Sequence, residues 1–145
     1  MLVGPHFARK GWIMARAASS RSALRIAASV AILFGILTLV SGGTALFGAP
    51  AARARFGDTV AFVLWFNFLA GFAYVAAGIG LFRRRRWSAW LSVAIAVATI
   101  AVFAAFGLHV AGGGAFEPRT VAALFLRTAV WLMIAATAIR TLGWR

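Results

Sequence analysis

Four apolar runs, each close to twenty residues, alternate along the chain with short polar connections. They cover Leu24–Phe47, Thr59–Phe82, Ala89–Val110 and Thr120–Ile139. A helix rising 1.5 Å per residue needs about twenty apolar residues to cross roughly 30 Å of hydrocarbon, and each run meets that length. The separators carry helix-ending signals. Gly48-Ala49-Pro50 closes the first run, and Phe56-Gly57-Asp58-Thr59 opens the second with a residue suited to capping. Arg83 to Arg86 divide the second from the third. Gly112-Gly113-Gly114 ends the third, and Pro118 suits the first turn of the fourth. With no connection much beyond a dozen residues, the pattern predicts an all-α, polytopic membrane protein. Its spans form an antiparallel four-transmembrane-helix bundle over residues 24–141, between a basic arm (1–23) and a short tail (142–145).

Composition sharpens this reading. The 145 residues are 63% hydrophobic and 12% charged, with mean hydropathy +0.94. A soluble domain is about a quarter charged and cannot hide so much apolar surface. Fifteen basic residues against two acids give a net charge of +13, which in a soluble protein would point to nucleic acid. Here the arginines lie in clusters between apolar runs, as topology signals do, so no nucleic-acid partner is expected. Arg9, Lys10, Arg16, Arg21, Arg25, Arg83 to Arg86, Arg140 and Arg145 fall on one side, and Arg53, Arg55 and Arg119 on the other. Eleven against three predicts both termini in the cytoplasm and a bacterial-type inner (plasma) membrane, with anionic lipid headgroups as partners of the basic side. Trp87, Trp90 and Trp144 fall at its edge, where indoles favour the interface. The N-terminus imitates a secretory signal up to Ala49-Pro50-Ala51, but its apolar run is longer than a signal core and is read as an uncleaved helix. The chain has no cysteine, which removes disulfides, thiolate metal sites and thiol relays.

Polar residues within the apolar runs are the candidates for function. Arg127 lies eight residues beyond Arg119, roughly 12 Å below the boundary, too deep for easy snorkelling. It is expected to face the bundle. Asn67 on the second run matches its depth, as do Thr38 on the first and Thr99 on the third, so each helix offers one hydrogen-bonding side chain to a common layer. Tyr74, the only tyrosine, shares a helix face with Asn67, Gly71 and Gly78. Nearer the outer edge lie Asp58, His109 and Glu117, with Ser41 and Thr44 on the first run. Each feature also has a plain reading: Arg127 as a clamp between helices, Asp58 and Glu117 as helix-start acids, His109 as an interfacial histidine, and the glycines as packing positions. Aromatics at Phe62, Trp65, Phe66, Phe68, Phe72, Phe103 and Phe106 are expected to face the bilayer, or else to line a groove for a quinone or lipid tail. No catalytic triad, phosphate loop, CxxC or HExxH pattern is present, and no metal site is expected.

The second and third helices, Asn67-Phe-Leu-Ala-Gly71-Phe-Ala-Tyr-Val-Ala-Ala-Gly78-Ile-Gly-Leu81, a basic turn, then an alanine-rich helix ending Phe106-Gly-Leu-His109, resemble the DoxX-type family of small four-helix membrane proteins. The first helix, Arg25 through Ser41-Gly42-Gly43, is similar in outline. The resemblance implies a link to quinol oxidation or thiol-linked oxidative stress systems. Where many relatives place a carboxylate in the second helix, this chain has Asn67, a departure that bears on any shared proton chemistry. The expected function is an accessory or assembly subunit of a larger membrane system, respiratory and quinone-linked, partnered by other membrane subunits or by further copies of itself. The alternatives are a small transporter or channel-like protein with Arg127 as substrate or anion ligand, and a membrane enzyme using His109 with Asp58 or Glu117.

Overall fold

The computed structural model describes residues 5–57 and 59–143, with side chains described from residue 19 onward. Asp58, Trp144, Arg145 and the side chains of Arg9, Lys10 and Arg16 lie outside that description. Four long helices carry the fold: α1 (Pro5–Phe47), α3 (Ala61–Phe82), α4 (Trp87–Ala111) and α5 (Pro118–Leu142). The short α2 (Pro50–Arg53) and a 3-10 turn (Ala54–Phe56) connect α1 to α3, and there is no strand among the described residues. Each long helix contains a stretch long and apolar enough to span a membrane, Ser19–Phe47 in the case of α1.

Two helix starts go beyond the hydropathy pattern. The helix of α1 runs on through much of the basic arm, beginning nineteen residues before the apolar run and reaching about 65 Å in all. Alanine is the commonest residue in the stretch before Leu24, and with arginine, lysine and methionine it supplies strong helix formers, so the helix outlasts the hydropathy. At the start of α3, the expected capping residue is Asp58 or Thr59; Asp58 lies outside the described residues, and Thr59 precedes the N-cap position. Val60 holds the N-cap position with no side-chain hydrogen bond, and the helix starts at Ala61. Pro118 does occupy the first turn of α5.

The helices run up and down in sequence. α1 packs most extensively on α3, α3 on α4, α4 on α5, and α5 closes the ring against α1. Small residues make the interior. Ala27, Ala28, Ala31, Ala70, Ala77, Ala89, Ala96 and Ala138 are buried, while Ile26, Leu33, Leu69, Phe72, Val97, Phe125 and Met133 stand more than half exposed. Where lipid is the solvent, large apolar groups gain nothing by leaving the surface, and close backbone approach governs packing. The α1–α3 seam shows this best: a Cβ on Gly78 would come within 2.5 Å of Ile32 and 3.0 Å of the Ala28 carbonyl. Interior hydroxyls satisfy themselves on their own helix. Ser92 donates to Ser88 O at 2.8 Å and Thr99 to Ile95 O at 2.8 Å.

The α3–α4 turn is a Schellman cap. Arg85 N–H donates to Gly80 O (2.8 Å) and Arg84 N–H to Leu81 O (3.0 Å). The residue that must turn left-handed is Arg84, at φ 56°, where glycine is usual and a side chain costs about 1–2 kcal/mol. At the other described positive-φ positions, 57, 113 and 143, glycine stands.

A cleft at the acidic end, floored by Arg127

The bundle has two unlike ends. One, the arginine end, holds the Arg83–Arg86 turn. The other, the acidic end, holds the connections to α3 and α5, with Glu117. A cleft of about 240 Å³ opens at the acidic end between α1, α3 and α5. Thr59, Glu117 and Arg119 line its mouth, Ser41, Gly42, Val63 and Thr120 its walls, and Asn67 and Arg127 its depth.

Arg127 is 7% exposed. Its Nη1–H donates to Asn67 Oδ1. α5 and α3 stand diagonally in the bundle, so this bond crosses the interior between helices that are not neighbours. Two aromatic faces flank the guanidinium: Phe34 of α1, with its centroid 5.8 Å from Cζ, and Tyr74 of α3, at 5.9 Å. Tyr74 stacks on Phe34 (6.0 Å, 14°) and tilts against Trp131 (4.6 Å, 41°), one turn beyond Arg127 on α5. Tyr74 and Trp131 are wholly buried. The Tyr74 hydroxyl lies beside Thr99 and the Trp131 indole without closing a hydrogen bond to either. Among the described residues, Arg127 Nε, Trp131 Nε1 and Tyr74 Oη are buried and take no hydrogen bond from the protein. Two of the three are donors only.

The expected layer thus divides. Arg127, Asn67 and Tyr74 meet at the bundle centre. Thr99 is buried beside Tyr74, but its hydroxyl donates to its own helix. Thr38 is buried on α1 and forms no hydrogen bond with the guanidinium. Trp131 and Phe34 complete the surround without having stood out in the sequence. The one available signal was the spacing of Trp131, four residues past Arg127 on the same face.

The outer cluster is looser. His109, half-buried, sets Nε2 3.3 Å from Ala115 O and its ring edge-on to Phe62. Glu117 packs over Gly57 and pairs with Arg119 at 3.6 Å. Asp58 lies outside the described residues. No three His, Asp or Glu side chains cluster as a cation would need, again among the described residues. Of the aromatics, Phe62, Trp65 and Phe72 are exposed as expected. Phe106 is not: it is 1% exposed and packs with Val63 and Leu124 above the cleft floor.

Arg127 therefore presents a buried positive charge, flanked by spare donors, at the end of a cleft that reaches the surface. In comparisons with known proteins, the chain matches no family model, no curated protein and no solved structure.

Proposed function

We propose that this multi-pass protein binds a small lipophilic anion, a carboxylate with an apolar body, through Arg127, and acts as a carrier or donor of that molecule within the membrane. The observation that carries the reading is a guanidinium at the cleft floor that no described carboxylate pairs. The only ion pair among the described residues joins Glu117 to Arg119 at the mouth, and no described carboxylate reaches Arg127. An unpaired arginine at such depth costs about 2.5–3.5 kcal/mol on insertion scales, a cost that a ligand carboxylate offsets by pairing and by taking up the spare N–H groups. A quinone, the ligand suggested by the DoxX-type resemblance, would satisfy the donors with its carbonyls but leave the charge uncompensated. It is the second reading.

An accessory role beside other membrane subunits is compatible with this activity. An apolar groove of about 320 Å³ between α1 and α5, lined by Ala27, Val30, Val130 and Met133, offers room for a partner helix. The arginine count supports a cleft mouth on the outer face and termini in the cytoplasm of a bacterial-type inner membrane.

The test uses full-length protein in mild detergent, with dodecanoate, its methyl ester and a decyl benzoquinone as probes. Dodecanoate is expected to bind in preference to its ester. Arg127→Gln is expected to fold to the wild-type amount and weaken dodecanoate binding about tenfold or more, the worth of a charge-assisted hydrogen bond. Arg127→Lys is expected to retain part of the affinity. Loss of the folded protein in both variants would make Arg127 a clamp, and preferential retention of the quinone would replace the carboxylate.

A further inference from the structure

A second cavity, of about 170 Å³, lies at the arginine end, between α1 and the last turn of α3. Arg21 and Arg25 line it from α1 and Arg84 from the turn, over a base of Leu24 and Leu81, with Phe82 at the side. Leu24 and Leu81 are 2% and 0% exposed, and Phe82 is 59% exposed. Three arginines thus line a small hollow that is apolar on its inner side. It lies where an apolar span gives way to charge, at the turn that leads into the helix carrying the exposed Trp87 and Trp90.

We propose that this pocket holds the phosphate of an anionic phospholipid, with the lipid's glycerol and acyl chains running along Phe82 into the bilayer. The argument is independent of the cleft at the other end. Glu117, the one acid among the described residues, lies in the connection at the opposite end, so no described acidic side chain supplies the counter-charge. Phosphate oxygens match guanidinium forks, and an arginine near an anionic headgroup layer is favoured over one facing neutral lipid. Arg84 adds an observation of a different kind. Its backbone adopts the left-handed conformation that the chain elsewhere gives to glycine, and the strained position delivers a guanidinium into the pocket. A glycine would make the same turn without strain and without the charge.

Native mass spectrometry of the full chain, from detergent micelles doped equally with phosphatidylglycerol and phosphatidylcholine, tests the site. Wild type is expected to retain phosphatidylglycerol preferentially. Arg84→Gly is expected to lower that preference about fivefold, the worth of one basic residue near an anionic surface, while unfolding at the same or a higher temperature. Adding Arg21→Gln and Arg25→Gln is expected to bring the two lipids to parity. Arg85→Gln removes the same charge from the same turn but does not line the pocket, and its preference is expected to stay near wild type. Equal losses from Arg84→Gly and Arg85→Gln would reduce the effect to general attraction and overturn the site. Displacement of the lipid by millimolar inorganic phosphate would overturn the lipid assignment in favour of the free anion.

Discussion

The hydroxyl of Tyr74 is fully buried, with Thr99 and the Trp131 indole as polar neighbours but no close hydrogen bond, while its ring packs on Phe34 and Trp131. A buried polar atom without a partner costs about 1–3 kcal/mol, so Tyr74→Phe is expected to stabilise the detergent-solubilised protein by about 1 kcal/mol in thermal unfolding. The same variant is expected to bind dodecanoate several-fold more weakly, a trade of stability for function typical of binding sites. Lower stability in Tyr74→Phe would show that the hydroxyl has a structural partner and is not held in reserve. At this scale, sequence reading works where a residue type conflicts with its surroundings. An arginine inside an apolar run announces itself, and depth matching leads from it to Asn67 on the diagonal helix. Trp131 and Phe34 touch the same group but are lost among the many aromatics that face lipid. Thr99 shows the opposite failure: its depth is right, but a helical threonine has a carbonyl four residues back within easy reach and bonds there.

Among the elements, α1 and α3 form the tightest pair, and their contact depends on missing side chains. At Gly78 the crowding involves the backbone of Ala28 and Ile32 at 3.0 Å as well as the Ile32 side chain, so a larger residue must push the helices apart. Gly78→Val is expected to destabilise the fold by about 1–3 kcal/mol, the usual cost of overpacking. Gly107, on α4, has no atom within 4 Å of an added Cβ. Gly107→Ala is expected to stabilise by up to about 1 kcal/mol through helix propensity alone. Thermal unfolding of the pair checks both signs under one condition. Hydropathy located the spans to within about three residues at most ends, because burial in lipid demands length and apolarity whatever the packing. It does not mark the start of α1, where helix propensity takes over from hydropathy, and at α3 the N-cap is Val60, one position past Thr59.

For the molecule as a whole, the orientation assigned from the arginines can be checked cleanly because the chain has no native cysteine. Ala115→Cys, in the connection at the acidic end, is expected to react with a membrane-impermeant maleimide in intact cells, and Arg85→Cys only after permeabilisation. The reverse labelling would invert the orientation and place the cleft mouth in the cytoplasm. The bundle also restricts how any solute in the cleft can travel. Beyond Arg127, towards the arginine end, Tyr74, Trp131, Ile134, Ala138, Leu81 and Leu24 form one continuous buried cluster. A molecule that reaches the guanidinium has arrived in a blind alley. It must back out the way it came or slip sideways between helices, because a stopper of aromatic and aliphatic side chains fills the bundle beyond it.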